Sequence, residues 1–452
     1  MASSARLLQK LKHLHPHTID LSLERMLRLL AALGDPQDRL PRAVHVAGTN
    51  GKGSCIAFAR AMLEAAGRRV GTYTSPGLRS LHECITLPAG PGRSGPIAEE
   101  RLVDALERIL TANAGGPLTS FEGETSAAFL ALSEAGADAV LIEVGMGGRL
   151  DATNVLRRPA VSVIMPVAID HADYLGPTIP TIAAEKAGIL KPGVTCVVAR
   201  QSVDALVVIR NQAEKVKAPL FVHGGDWDAY EQHGRLVYQD ESGLLDLPMP
   251  ALAGAHQIAN AGAAIATVRS LAGLEPDDAA KARGLQAVRW PARLQLLSRQ
   301  GLGRLLPEGS ELWLDGGHNA GAAVALAQAM ADAEERISMP LFIVLGMLSS
   351  KSPGAFLEPF AGLAGAVIAV PIEDTTRAYA PARPPEELAA SANALGFRAE
   401  VAANLKEALV ISRVLAGEPV RVLICGSLHL AGQALALEEL MRVAKGKGPS
   451  LH

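Results

Sequence analysis

Val44-His45-Val46-Ala47-Gly48-Thr49-Asn50-Gly51-Lys52-Gly53-Ser54 is the stretch on which the fold of this chain turns. Val44 to Ala47 reads as a short buried strand. The glycine-rich run after it reads as a tight loop. Cys55 to Ala66 is rich in helix formers and stops at Gly67, a residue suited to the left-handed position that ends a helix. Val70 to Thr74 reads as the next strand. Strand, loop, helix and strand in this order open a parallel α/β sheet.

A loop between a strand and a helix is where such sheets hold phosphate. Its glycines let backbone N–H groups converge on phosphate oxygens, and the helix N-terminus adds a favourable field for anions. Lys52 can set its charge on the outer phosphates, and Ser54 can reach phosphate or metal. The strict pattern GxxxxGK[ST] is not met: Val46 stands at the first glycine position and Gly53 separates Lys52 from Ser54. An ordinary glycine turn before a helix is the competing reading of this loop by itself.

The same grammar continues along the chain. Ala139 to Val144 is an apolar strand that ends in a carboxylate and a glycine-rich loop. Ala160 to Val167, Cys196 to Ala199 and Leu220 to Val222 read as further strands. Continuous apolar runs separated by helices suit strands buried on both faces. The first forty residues read as helix, with apolar residues recurring from Leu21 to Leu30 and Gly34-Asp35-Pro36 stopping the run. Residues 223–250 change character and predict a small antiparallel excursion, and His256 to about Leu271 predicts an alanine-rich helix. A second α/β series begins near residue 300, with strands at Leu312 to Leu314, Leu341 to Leu345, Ala366 to Val370 and Val420 to Ile424. The hinge is expected near Arg293 to Gly303.

Composition sets the frame. At about 150 residues per domain, 452 residues give two large domains or three. Hydrophobic residues are 49% and charged residues 20%, enough for a packed core. Lys plus Arg is 43 against 46 for Asp plus Glu, a net charge of −3, which argues against a nucleic-acid binder. Cys55, Cys84, Cys196 and Cys425 form no CxxC pair, so neither a zinc ribbon nor a disulfide framework is expected. No stretch approaches the ~20 apolar residues of a membrane span, and the N-terminus has no secretory apolar region. A cytoplasmic setting is expected. His13, His15 and His17 alternate and read as a solvated segment.

Three candidates for magnesium lie at the C-terminal ends of expected strands: Ser75, Glu143 and His171. Magnesium prefers oxygen ligands and keeps several waters, which makes His171 an unusual choice. Taken singly, each has a plainer reading as a turn serine, a solvated acid or a hydrogen-bonded histidine. Glu143 is followed by Gly145-Met146-Gly147-Gly148-Arg149-Leu150-Asp151-Ala152-Thr153-Asn154, a loop rich in both glycine and polar groups, as functional loops commonly are.

Taken together these segments resemble a family. Gly48 to Ser54, Thr74-Ser75-Pro76, Glu143 to Asn154, Asp170-His171, Ala184 to Ile189, Gly254 to Ala261 and Leu314 to Asn319 follow in the expected order. The chain resembles folylpolyglutamate synthases, and specifically the bacterial bifunctional dihydrofolate synthase/folylpolyglutamate synthases of the Mur ligase superfamily. The likeness runs from about Leu21 to Gly432.

The resemblance implies an α/β fold. Residues 1–297 would form a P-loop-type ATPase domain with a mostly parallel sheet that also binds the pterin. Residues 298–452 would form a smaller Rossmann-like domain. It implies ATP-dependent addition of L-glutamate to dihydropteroate and to reduced folates through an acyl phosphate. Gly51, Lys52, Gly53 and Ser54 would hold the ATP phosphates, with Asn260, Arg293 and Asp315 as further nucleotide contacts. Ser75, Glu143, His171 and a carbamylated Lys186 would surround two Mg²⁺ ions. Lys52, Lys186 and His318 would serve the chemistry. Ser22, Leu23, Glu24, Thr119, Ser120, Phe121, Glu122, Leu150, Asp151 and Ala152 would meet the pterin, with Phe121 as a stacking surface and Asp151 as a hydrogen-bonding partner. Without the likeness, Phe121 reads equally well as a core aromatic. Partners would be small molecules, with no nucleic acid or membrane, and the chain would be a monomer.

The chain departs from the family pattern at several places. Gly77 and Cys84 replace larger or cationic residues, which puts substrate contacts after Ser75 in question. Ala292 replaces a glycine before Arg293. Two rival readings stay open here: another Mur-type amino-acid ligase, and a nucleotide-gated binding protein without catalysis.

Overall fold

The structure is a computed structural model and describes residues 3–15, 19–373 and 380–446, so His17 lies outside the described residues. The chain forms two compact units, Met1–Ala251 with His256–Arg289, and Leu252–Ala255 with Trp290–His452.

The first unit is built on eight strands: β1 (Arg42–Ala47), β2 (Val70–Tyr73), β3 (Ile85–Gly90), β4 (Arg93–Pro96), β5 (Ala139–Glu143), β6 (Val161–Ile164), β7 (Cys196–Val198) and β8 (Leu220–Val222). Their order is β4-β3-β2-β5-β1-β6-β7-β8. The six strands from β2 to β8 in that order are parallel. The β3–β4 hairpin runs antiparallel on one edge. After β1 the chain crosses to β2 beyond β5, and after β5 it crosses the other way to β6. Such divergence at the C-terminal strand ends opens the crevice where α/β sheets bind ligands. The register pairs Val46 with Glu143 and Ala47 with Ile164, so the loops after β1, β5 and β6 leave the sheet side by side.

Helices cover both faces. They are α1 (Ser4–Lys12), α2 (Glu24–Ala32), α3 (Lys52–Ala65), α4 (Glu99–Asn113), α5 (Ser120–Ser133), α6 (Ala172–Leu175), α7 (Ile179–Ala187), α8 (Val203–Val216), α9 (His256–Arg269) and α10 (Asp278–Ala287). Met26, Leu29 and Leu30 of α2 recur at helical spacing and are buried with Leu7 and Leu11 of α1, Leu102 and Leu106 of α4, and Phe129 of α5 over Tyr73 and Ile142. A second cluster seats Ile182 and Ala183 of α7 and Ile209 of α8 on Ile164 and Val198. Helix α3 packs against α9 and α10. A Cβ on Gly284 of α10 would stand 2.5 Å from the Met62 Cα, which is how closely the two backbones approach.

The excursion expected in 223–250 is a three-stranded antiparallel sheet of β9 (Trp227–Gln232), β10 (Arg235–Asp240) and β11 (Gly243–Pro248). The second unit carries β12 (Gln295–Leu296), β13 (Glu311–Leu314), β14 (Leu341–Leu345), β15 (Ala364–Ala369), β16 (Arg398–Val401) and β17 (Arg421–Cys425), ordered β12-β13-β17-β14-β15-β16. All pairs are parallel except β12 with β13. Its core is its own, with Ile343, Val367 and Leu423 against Phe356, Phe360 and Leu388. Fully buried Arg421 ties Glu311 at 2.8 Å and Glu334 at 3.3 Å.

Candidate active site

Helix α3 starts at Lys52, with Gly51 before it at φ 83°. A Cβ on Gly51 would collide with the Asn260 Oδ1 of α9, so only glycine lets that side chain lie on the loop. The other side of the loop rests on the residues after β6. Thr49 N donates to the Pro166 carbonyl at 2.9 Å, and Thr49 Oγ1 donates to the Ala168 carbonyl and accepts from Ala168 N, both at 3.0 Å. Gln201 braces that segment in turn. Its amide nitrogen donates to the Ile164 and Met165 carbonyls at 3.3 and 3.1 Å, and its oxygen accepts from Val167 N at 3.1 Å. The first-turn N–H groups of α3, on Lys52, Gly53 and Ser54, have no intrahelical acceptors and face the loop.

Four of the expected residues converge on this loop. Lys52 Nζ donates to the Gly48 carbonyl at 3.1 Å and the Thr49 carbonyl at 3.3 Å. Lys186, near the C-terminus of α7, donates to the same Gly48 carbonyl at 3.0 Å. Glu143 Oε1, at the end of β5, lies 3.8 Å from Lys52 Nζ. Glu143 Oε2 accepts from Ser75 N at 3.3 Å. Lys186 is only 4% exposed. Burial first, and then the charge of Lys52, push its amine down to about 7, against the pull of Asp170 and Asp151. His171 caps α6 with φ 51°, its N–H donating to Asp170 Oδ1 at 2.8 Å.

Among the described residues no group of three or more His, Cys, Asp or Glu is arranged to hold a metal ion. The donor at the loop is instead the Glu143 carboxylate, which accepts from Ser75 N on the neighbouring strand end. A buried carboxylate at such a loop suits a hard cation that keeps several waters and phosphate oxygens.

The expected pterin segments surround the next loop. The Phe121 ring lies directly over Gly145, where a Cβ would collide with it, and stacks on Tyr73 at a centroid distance of 6.4 Å. Phe121 is half-buried, so it both packs on the core and presents a face. Thr119 and Glu122 form a capping box at the start of α5, and Arg25 holds Glu122 at 3.1 Å. Ser120 is the first residue of that helix, half-buried. Ser22 Oγ accepts from Glu24 N at 3.3 Å where α2 begins, with Leu23 half-buried between them. Leu150 is half-buried and Ala152 buried. Asp151 is 2% exposed and holds its own loop: Oδ2 accepts from Met146 N at 2.8 Å and Oδ1 from Thr153 N at 3.0 Å. Gly77 and Cys84, the two departures after Ser75, touch each other. The buried Cys84 Sγ stands 2.9 Å from where a Gly77 Cβ would be, so the thiol fills the inside of that loop.

In the second unit, Asp315 follows β13. It accepts from Leu294 N at 2.8 Å and Gly317 N at 2.6 Å. Arg293 Nη1 donates to the Ala292 carbonyl at 2.9 Å, and His318 Nδ1 lies 3.1 Å from the Gly316 carbonyl. Ala292 has φ 55°, a conformation that glycine adopts without strain. Sequence reasoning missed Gln201, Tyr73 and Arg25. The aromatic at Tyr73 and the charge at Arg25 gave no local pattern, and a lone glutamine after a strand gives none.

Comparison with known proteins gives the family. The model for the Mur ligase middle domain matches residues 106–268, and that for the dihydrofolate synthetase C-terminal domain matches residues 303–437. The dihydrofolate synthase/folylpolyglutamate synthase of Bacillus subtilis is 37% identical over 70% of this chain and 74% of its own length. A probable bifunctional folylpolyglutamate synthase/dihydropteroate synthase of Halobacterium salinarum is 36% identical over 72% of this chain, which spans only 39% of that longer protein. Escherichia coli FolC, solved with DHPP and ADP, superposes with a TM-score of 0.86 at 29% identity, covering 98% of this chain and 99% of that one. A bifunctional folylpolyglutamate synthase/dihydrofolate synthase solved with Mn, AMPPNP and L-glutamate gives a TM-score of 0.82 at 30% identity, covering 96% and 98%. The chain belongs to the dihydrofolate synthase/folylpolyglutamate synthase family of Mur ligases.

Proposed function

We propose that this chain is an ATP-dependent ligase that adds L-glutamate to dihydropteroate, forming dihydrofolate, and to reduced folates, forming folylpolyglutamates. The observation that carries the reading is that Lys52 and Lys186 both donate to the Gly48 carbonyl, with Glu143 3.8 Å from the Lys52 amine and bonded by Ser75 N, at a loop that leads into the α3 N-terminus. The relatives' ligands, a nucleotide, DHPP, L-glutamate and a divalent ion, support it.

The acceptor carboxylate attacks the γ-phosphorus of ATP, and the bond to the β-bridging oxygen breaks to release ADP. The glutamate amine then attacks the acyl carbon, loses a proton and expels phosphate. Phosphoryl transfer of this kind asks the protein mainly for position and positive charge. Gly51, Gly53 and Ser54 supply N–H donors to the phosphates. Lys52 leaves the loop carbonyls for the outer phosphates. Asn260 meets the nucleotide from α9. Arg293 and Asp315 are assigned as nucleotide contacts, and His318 as a residue of the chemistry. Ser75, Glu143 and His171 would hold Mg²⁺, which supplies charge neutralisation on the phosphates. A second ion would need a carboxylate on Lys186. Its amine, pushed down to about 7 by burial and then by the charge of Lys52, is neutral far more of the time than an ordinary lysine, and the neutral amine is the nucleophile for CO₂. Phe121, with Leu150, Asp151, Ala152 and the starts of α2 and α5, forms the pterin seat. The protein works as a monomer in the cytoplasm. Four free, buried cysteines suit that reducing compartment, and among the described residues no helix is long and apolar enough to cross a membrane.

Lys52→Ala tests the assignment. ADP release with ATP, Mg²⁺, L-glutamate and a pterin acceptor falls at least ~100-fold while the circular dichroism spectrum is unchanged. Near-normal turnover would remove the phosphate loop from the mechanism.

A further inference from the structure

His45 sits in the middle of β1, wholly buried, three residues before the phosphate loop. A valine or leucine would fill a parallel strand there without desolvating a polar ring. The imidazole Nε2 lies 2.8 Å from Thr153 Oγ1, and Nδ1 has no hydrogen-bond partner among the described residues. Thr153 is also fully buried. Its hydroxyl bonds Asp151 Oδ1, whose carboxylate accepts from Met146 N and Thr153 N. A hydroxyl that donates to a carboxylate can only accept from its other neighbour. Burial, then the charge of Lys191, keep the imidazole neutral by pushing it down to about 3. Its single ring proton therefore sits on Nε2, and the bonds run His45 to Thr153 to Asp151 in one direction.

We infer that His45 is a positioning residue for the pterin loop Gly145–Asn154, acting through Thr153 on Asp151. The relay spans the loop. Asp151 ties its start at Met146, beside the Gly145 that underlies Phe121, to its end at Thr153. Because His45 and Gly48 share one run of chain, the relay fixes the height of the pterin seat against the strand that delivers the phosphate loop. It thereby sets the acceptor carboxylate in register with the γ-phosphate. The inference rests on the function proposed above, and its test separates the two.

Four variants are compared: His45→Leu and Thr153→Val, which remove the relay, and His45→Gln and Thr153→Ser, which keep its donor or hydroxyl. Hydrogen exchange by mass spectrometry reads the loop directly, in peptides from 145–156 against peptides from 48–60. Steady-state kinetics read kcat/KM for dihydropteroate against KM for ATP. His45→Leu and Thr153→Val are expected to speed exchange in 145–156 only. They are also expected to lower kcat/KM for dihydropteroate roughly tenfold or more at a little-changed KM for ATP. The double variant is expected to be no worse than either single one, with His45→Gln and Thr153→Ser close to the parent. Unchanged loop exchange, equal damage in His45→Gln and His45→Leu, or a KM for ATP that moves in step would overturn the inference. If His45→Leu does not fold, the Thr153 pair decides. Faster loop exchange in a protein whose parent turns over no pterin would sustain the relay and overturn the proposed function.

Discussion

Lys186 pays for its place in the fold. Its amine is nearly fully buried beside a second lysine, and its affinity for a proton is depressed from 10.5 to about 7. Between those two pH values the unfolded chain holds a proton on this amine that the folded chain does not, so stability rises with pH across that window. Below about 7 the amine is charged in both states and the full cost is present. Thermal melts of the protein without ligands, from pH 7 upward, are expected to show a melting temperature that gains on that of Lys186→Met as pH rises. Parallel curves would mean that the amine is not depressed. At this scale the sequence tells much about residues in local patterns and little about the others. Lys52 and Glu143 could be read because a glycine loop and a strand end announce them. The partner of His45 could not, because Thr153 is 108 positions away and no spacing rule connects them. Asp151 was legible as a polar residue in a functional loop, but not as a residue whose oxygens are taken by that loop.

Elements were legible where burial is uniform. Strands β1, β2, β5, β6 and β7 are buried, mostly apolar runs because both their faces are covered, with His45, Thr72 and Ser162 as single polar interruptions. The β3–β4 hairpin escaped the reading. Pro88, Gly90, Gly95 and Pro96 interrupt it, and its outer strand is largely solvent-facing, so no period survives. Strand β12 is two residues long, and β16 is an edge strand with charged residues. The segment after β6 shows what pattern leaves out. It carries the phosphate loop on Pro166 and Ala168, and Gln201 fixes it with three hydrogen bonds. Gln201→Ala is expected to cost about 1–3 kcal/mol of stability by leaving buried backbone groups unpaired. It is also expected to raise KM for ATP more than KM for glutamate. Denaturant melts and paired KM measurements check this; equal shifts in both KM values would show a general loosening instead.

At the scale of the molecule, each unit closes its own core, one around Tyr73, Phe129 and Ile142 and the other around Ile343, Phe356 and Leu423. Separate cores give separate cooperative transitions, which breaks two-state behaviour. Calorimetry is expected to give a total enthalpy above the van't Hoff value, and equality of the two would show one cooperative block. The architecture was legible in outline, as two α/β series with an antiparallel excursion between them. The four residues Leu252–Ala255 that belong with the second unit were not, because a short apolar run carries no sign of which core receives it. On the function proposed above, this molecule joins glutamate to pterin acceptors at the expense of ATP. ADP release by the purified protein with ATP, Mg²⁺ and L-glutamate, with dihydropteroate and tetrahydrofolate in separate reactions and products weighed by mass spectrometry, tests it most directly. Turnover is expected with both acceptors, with a mass gain of one glutamyl unit on each. ATP binding without ADP release on either acceptor would contradict it.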